Sequence, residues 1–292
     1  MATGYHNMTL AELRQYYHRQ IAETIIYVTD DGIPNFADAD SKLSSLIARE
    51  VLDRLSFEKT LDAPIKGQTA GRRFENVNRE FLGAAFSEIK HLRPGRFVFD
   101  LVGDISKFRQ YKHLGDLTRL LDQFTDLQSA LGTDSDYLIK PDIIVARYPV
   151  SDEEINLVSP VIQPGDQLAL LTPLRRVNHN AEIPLLHASI SAKWTLRSDR
   201  AQNARTEALN LIRNRKGSVP IIVTVTAEPM PSRIASLALG TGDVDCVYHF
   251  ALPELRDAVQ SIGNELAIEM LEMMVSGDRL RDISDLPLDL TI

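Results

Sequence analysis

Residues 187–216 read HASISAKWTLRSDRAQNARTEALNLIRNRK, and the way this stretch folds decides what the rest of the chain can be. Ala188 to Leu196 alternates with period two. That predicts a β-strand showing Ser189, Ser191 and Lys193 on one face and Ile190, Ala192 and Trp194 on the other. Ser198 offers an N-cap oxygen, Asp199 follows in the first turn, and Ala201, Ala204, Ala208 and Leu211 recur at helical spacing. The stretch is a strand, a tight turn and a helix. Between Lys193 and Gly217 it carries seven basic residues (Lys193, Arg197, Arg200, Arg205, Arg213, Arg215, Lys216) against Asp199 and Glu207, an excess of +5 in a chain of net charge −8. A basic strand-helix unit in an acidic protein suits a local polyanion site; the plainer alternative is a solvated helix face with its arginine stems packed down.

The 292 residues can bury a sizeable core, and the 44% hydrophobic and 25% charged fractions are those of a soluble globular protein. No apolar run is long enough to span a bilayer, and MATGYHNMTLAELRQYYHRQ lacks the apolar centre of a signal peptide, so a cytoplasmic protein with no membrane partner is expected. The single cysteine, Cys246, leaves no internal disulfide and no cysteine-cluster zinc site. A metal here would need oxygen ligands, which favours a hard ion such as magnesium.

The chain order predicts an α/β protein. A helix is expected over 8–29, ended by the turn cluster at 30–35, and a second over Leu43–Leu55 that Asp38, Asp40 or Ser41 would cap. GQTAG at 67–71 reads as a turn into a helix over Arg72–Leu92, where Glu75 sits early enough to complement the helix dipole. Phe97–Val102 is a strand candidate, and a helix over Ser106–Leu131 follows with Leu114, Leu117, Leu120, Leu121 and Phe124 as its stripe. In KPDIIVA at 140–146 the proline suits a strand start and the apolar run a buried strand, leaving Asp142 at its entrance as turn residue or ligand. Beyond it come proline turns with a short strand at Gln167–Leu171, the central unit, strands at Val219–Ala227 and Asp245–Phe250, and a short helix ending at Leu239-Gly240. Helices at Pro253–Gly263 and Asn264–Val275 precede an acidic tail, DISDLPLDL. No repeat or Gly/Ser-rich linker divides the chain, so one domain over 1–292 is expected, its helical first 60 residues packed on the rest.

Phosphodiester hydrolysis needs oxygen ligands for a divalent metal, a group that orients water, and positive charge for the phosphorus oxygens. Asp142, Glu75 and Glu207 can supply the first, and Lys193 the rest. The segments PD at 141–142 and SISAKWTLRSDRAQNAR at 189–205 resemble the CCGG-recognising branch of the PD-(D/E)XK restriction endonucleases, and within it the tetrameric type IIF enzymes that cut GCCGGC. The likeness runs on through GQTAGRRFE, HLRPG, KPDIIV, LNLIRNRKG, TAEPMPSRIASLALGTG, DCVYHFAL and RLRDISDLPLDL, dense from about residue 65 onward. In that branch a serine replaces the acid two before the lysine, and a glutamate on the next helix takes over; Ser191 and Glu207 show the same exchange.

The resemblance implies a PD-(D/E)XK core, a central mixed sheet flanked by helices. It also implies Mg2+-dependent cleavage of double-stranded DNA at GCCGGC by a homotetramer built as a dimer of dimers, with a cognate methyltransferase in the same system and no contact between the two. Asp142 and Glu207 would ligate metal together with the carbonyl of Ala192, which replaces the cysteine expected in near relatives. Lys193 would hold the attacking water, and Glu75 would complete the acidic cluster. Arg197, Asp199 and Arg200 would read the CCGG bases, since arginine donates twice to guanine and a carboxylate accepts from the cytosine amino group. Arg233 would read the outer guanine, Asp38 the outer cytosine, and Gln68 the minor groove; a further N-terminal contact falls on Asp40 or Ser41. The competing expectations are a CCGG core with other flanking pairs, a DNA-binding protein without chemistry, and a structural protein with an incidental basic helix.

Overall fold

Six strands lie side by side in chain order, β1 (Arg96–Leu101), β2 (Ile143–Tyr148), β3 (Leu185–Lys193), β4 (Ile221–Thr226), β5 (Cys246–His249) and β6 (Leu280–Asp282). β1, β2 and β3 pair antiparallel, and β3 to β6 run parallel. The computed structural model describes residues 8–57, 59–101, 103–116, 139–177, 183–196, 198–240 and 242–292, with backbone alone at 198–200. The helices whose two ends fall within the described residues are α1 (Leu10–Thr24), α2 (Lys42–Leu55), α3 (Gly67–Ile89), α4 (Asp152–Ile155), α5 (Ser198–Asn214), α6 (Pro231–Ala238), α7 (Leu252–Ile262), α8 (Glu265–Ser276) and α9 (Leu286–Asp289).

Both faces of the sheet are covered, because β2 is apolar at every core position rather than at alternate ones. Ile143 and Val145 join a core with Ala188, Ile190, Ala192, Val223, Val225 and the apolar stripes of α1, α2, α3, α7 and α8. Ile144 and Ala146 join a second core on the other face with Leu186, Ile222, Ile105, Phe108, Tyr111 and, from α5, Ala208 and Leu211. Between Val145 and Ala146 the register with β3 slips past His187, so Leu186 faces the second core while Ala188 faces the first. This bulge sets the parity that puts Ser191 and Lys193 on the α5 face.

Local chemistry moves several boundaries. The first helix ends at Thr24 rather than 29, because Ile25-Ile26-Tyr27-Val28 is three β-branched residues and an aromatic, which favour extended backbone; Tyr27 bridges Leu61 and Val28 bridges Pro34. GQTAG is the first turn of α3 rather than a turn before it. Ser41 caps α2, accepting from Ser44 N. The expected helix from Ser106 opens instead as a 3-10 turn at Ile105–Lys107, where the Asp104 carboxylate takes the Ser106 amide at 2.9 Å; Leu117, Leu120, Leu121 and Phe124 lie outside the described residues. Gln167–Leu171 is not a strand: Ala169 has φ 53°, and the one bridge nearby joins Val150 to Arg175. β3 stops at Lys193, and α5 begins at Ser198 itself.

The acidic tail is folded. Asp282 closes β6, accepts the Leu252 amide at 3.0 Å, and takes two bonds of 2.9 Å from Nε and Nη2 of Arg14 of α1, whose Nη1 and Nη2 hold Glu254 at 2.7–2.8 Å. Leu286 and Leu290 reach the first core, which extends from Leu13 to Leu290. Among the described residues no helix is long and apolar enough to cross a membrane.

Candidate active site

Asp142 immediately precedes β2, and the pairing of Ile143 with Ile190 sets it across from Ser191. One carboxylate oxygen, Oδ2, accepts from Lys193 Nζ at 2.7 Å, from the Ala192 amide at 2.9 Å and from Ser191 Oγ at 3.3 Å. Serine at the acid position thus supports the aspartate as a donor instead of repelling it. Lys193 and Asp142 are both mostly buried, at 17% and 20% side-chain exposure, which strengthens their attraction over that of a surface pair.

Two glutamates approach this pair from opposite layers. Glu207 is on α5, three residues past Ala204 and one before Ala208, both of which pack inward. Burial raises its pKa, Lys193 lowers it and Asp142 raises it further. Glu75 follows Phe74 on α3, whose ring stands edge-on to Trp194 with centroids 5.1 Å apart, fixing α3 beside the end of β3. Its pKa is raised by burial and then by Asp142, against Lys193 and Arg72. The structure therefore brings Asp142, Ser191, Ala192, Lys193, Glu207 and Glu75 together.

Three carboxylates here face one ammonium, an excess of negative charge that a divalent cation relieves. The donors are all oxygen, the set a hard ion takes. Among the described residues no three carboxylate, imidazole or thiolate side chains are already gathered at ligand distance.

A second cluster lies just beyond the same ends of β3 and β4. Arg233, near the start of α6, pairs through Nη2 with Asp38 Oδ2, and its Nη1 is 3.6 Å from Glu228 Oε1. Asp38 is held by its own amide donating to Ser44 Oγ at 2.9 Å, and it accepts from the Asp40 amide at 3.2 Å. Gln68 is exposed at the start of α3, seven positions and so about two turns before Glu75 on the same helix. Arg197 lies outside the described residues, and Asp199 and Arg200 are described only as backbone in the first turn of α5. Glu228 was absent from the expectations. A glutamate directly after the buried run VPIIVTVTA was its one sequence signal; in the structure it is 1% exposed and its pKa is pushed up to about 7, chiefly by burial.

A mixed sheet flanked on both faces by helices, with an acid at one strand entrance against a Ser-x-Lys strand, is consistent with the restriction-endonuclease class. The model of the family described as NgoMIV restriction enzyme matches residues 16–292. The type II restriction enzyme NgoMIV of Neisseria gonorrhoeae is 46% identical over 292 residues, with 98% of this chain and 100% of that enzyme covered. The chain belongs to the NgoMIV restriction enzyme family and is a type II restriction endonuclease, a hydrolase of double-stranded DNA in a family that uses divalent metal.

Proposed function

We propose that the protein cuts GCCGGC with Mg2+ as a homotetramer, each chain acting as one nuclease domain in the cytoplasm. The observation that carries the chemistry is the Asp142–Lys193 contact of 2.7 Å, with the pKa values of Glu207 and Glu75 raised by burial and then by the same aspartate. Asp142, Glu207 and the Ala192 carbonyl would hold the ion, which when bound supplies a Lewis acid for the phosphate and lowers the cost of ionising water. Lys193 donates to the attacking water and to a phosphate oxygen, and its contact with Asp142 aims the ammonium. Ser191 fixes Asp142, and Glu75 adds the charge that favours cation entry. Water oxygen bonds to phosphorus as the bridging P–O bond breaks; the water gives up one proton to solvent, and the leaving oxygen takes one from solvent.

Base reading falls to Arg197, Asp199 and Arg200 at the α5 end for CCGG, to Arg233 and Asp38 for the outer pair, and to Gln68 in the minor groove. Arginine and aspartate suit G·C pairs and fit A·T pairs poorly. The tetramer is supported by Leu157, Val158, Val161, Leu168 and Leu171, each at least 67% exposed along one connection. A second copy with the same apolar segment is the occupant that buries them symmetrically.

The test is digestion of a plasmid carrying GCCGGC, with and without Mg2+, with the ends mapped. Cutting confined to GCCGGC and dependent on Mg2+ is the expected result. Ends mapping to CCGG with other flanking pairs would replace the outer-pair assignment, and sequence-specific binding without cutting would remove the catalytic one.

A further inference from the structure

Glu228 places a carboxylate where its neighbours offer little room for one. Its Oε2 accepts the Leu196 amide at 2.8 Å and its Oε1 the Met230 amide at 3.2 Å, while its own amide donates to Thr226 Oγ1 at 3.1 Å. Two segments meet on this one side chain, and the residue's own amide ties it to a third. Leu196 lies two residues before α5, Met230 is the N-cap of α6, and Thr226 ends β4.

Two amide hydrogens need only neutral acceptors, and a buried charge is costly unless a cation answers it. The cation that answers is Arg233, 3.6 Å away and lowering the Glu228 pKa. Arg233 is also held by Asp38. If Arg233 and Asp38 each turn to one base of the outer pair, the Arg233–Asp38 contact is given up. Glu228 is then the acid that keeps the guanidinium in plane, while its other oxygen still fixes the approach to α5.

We propose that Glu228 is a positioning residue for sequence recognition, a shared clamp that sets the aim of Arg233 and the seating of the α5 N-terminus together. This rests on the base-reading roles given above to Arg233 and to the first turn of α5. The carboxylate acts through Leu196, Met230 and Arg233 rather than on base or phosphate. Its effect is coupling: loosening it should relax discrimination at the outer and inner pairs at once.

The experiment compares full-length wild type, Glu228→Gln and Arg233→Ala on duplexes carrying GCCGGC, the outer-swapped ACCGGT and the inner-swapped GACGTC, with kcat/KM for each and a thermal melt of each protein. Glutamine keeps the shape but cannot accept from both amides and Arg233. Arg233→Ala should lower the GCCGGC/ACCGGT ratio alone. Glu228→Gln should lower both ratios, each by roughly tenfold, the equivalent of weakening one bidentate base contact. A fall in neither ratio, or in one alone, overturns the clamp. An Arg233→Ala variant that keeps its outer-pair ratio overturns the base-reading role of Arg233 and the clamp with it. Should Glu228→Gln not fold, Glu228→Asp, which keeps the charge and withdraws it by one methylene, carries the same comparison. If both lose the fold, the carboxylate is a structural group and the proposal is overturned.

Discussion

Asp142 gathers three donors on Oδ2, and this division within one carboxylate bears on what its loss would do. Asp142→Asn or Lys193→Ala should cut kcat by roughly 10²–10⁴-fold, the range for removing a proton-transfer or charge-stabilising group, while GCCGGC binding measured without divalent ion stays near wild type. Equal losses of binding and cleavage in a folded variant would count against the assignment. Glu207 makes a separate prediction through its raised pKa. The folded chain holds that proton more tightly than the unfolded chain, so stability falls as pH rises from the ordinary value of 4.5 through the raised one. Glu207→Gln should therefore melt higher than wild type at neutral pH while losing cleavage; a lower melting temperature would contradict it. Asp142, Ser191 and Lys193 were legible in the sequence because strand alternation and a Pro-Asp start are local patterns. Glu228 was not, because its meaning comes from Leu196 and Arg233, which only the tertiary fold brings to it.

At the scale of elements, helices and strands with strong periodicity emerged near their expected bounds. α7 ends at Gly263 with φ 70°, and α8 opens on the Asn264 cap, as their residues imply. The failures share a cause: a short segment takes its state from its partner. β6 has three residues, and nothing in RLRDISDLPLDL separates a strand from a tail until β5 lies beside it. Gln167–Leu171 alternates like a strand and finds no neighbour to pair with. The Arg14 network is the feature that holds the tail in place, with Arg14 and Asp282 at 19% and 9% side-chain exposure. Arg14→Ala leaves Asp282 and Glu254 without their cation and should destabilise the fold by roughly 2–4 kcal/mol in denaturant melts. Asp282 and Glu254 both have lowered pKa values, with Arg14 the main lowering partner. Their contribution is present above the ordinary carboxylate range and is lost as pH falls through the depressed values, so wild type and Arg14→Ala should converge in stability toward strong acid.

For the whole molecule, the exposed apolar segment predicts an assembly that can be taken apart. Leu168→Asp with Leu171→Asp should shift sedimentation from tetramer to dimer, and should abolish the faster cutting of a two-site plasmid that comes from a second site held at high effective concentration. A tetramer that survives both substitutions would move the interface elsewhere. The strand order carries another consequence. Each strand of the sheet pairs with the one made just before it, so the sheet can grow as the chain emerges during synthesis. Arg14 must wait for Asp282, 268 residues later. The first helix can pack on α3 early, through Tyr17 against Asn78 and Phe81, but it gains its ionic tie only once β6 has been made. A nascent chain thus owns Asp142 and Lys193 well before it owns the strand that finishes its sheet, and the order of translation delays the completed fold of an enzyme whose target is DNA.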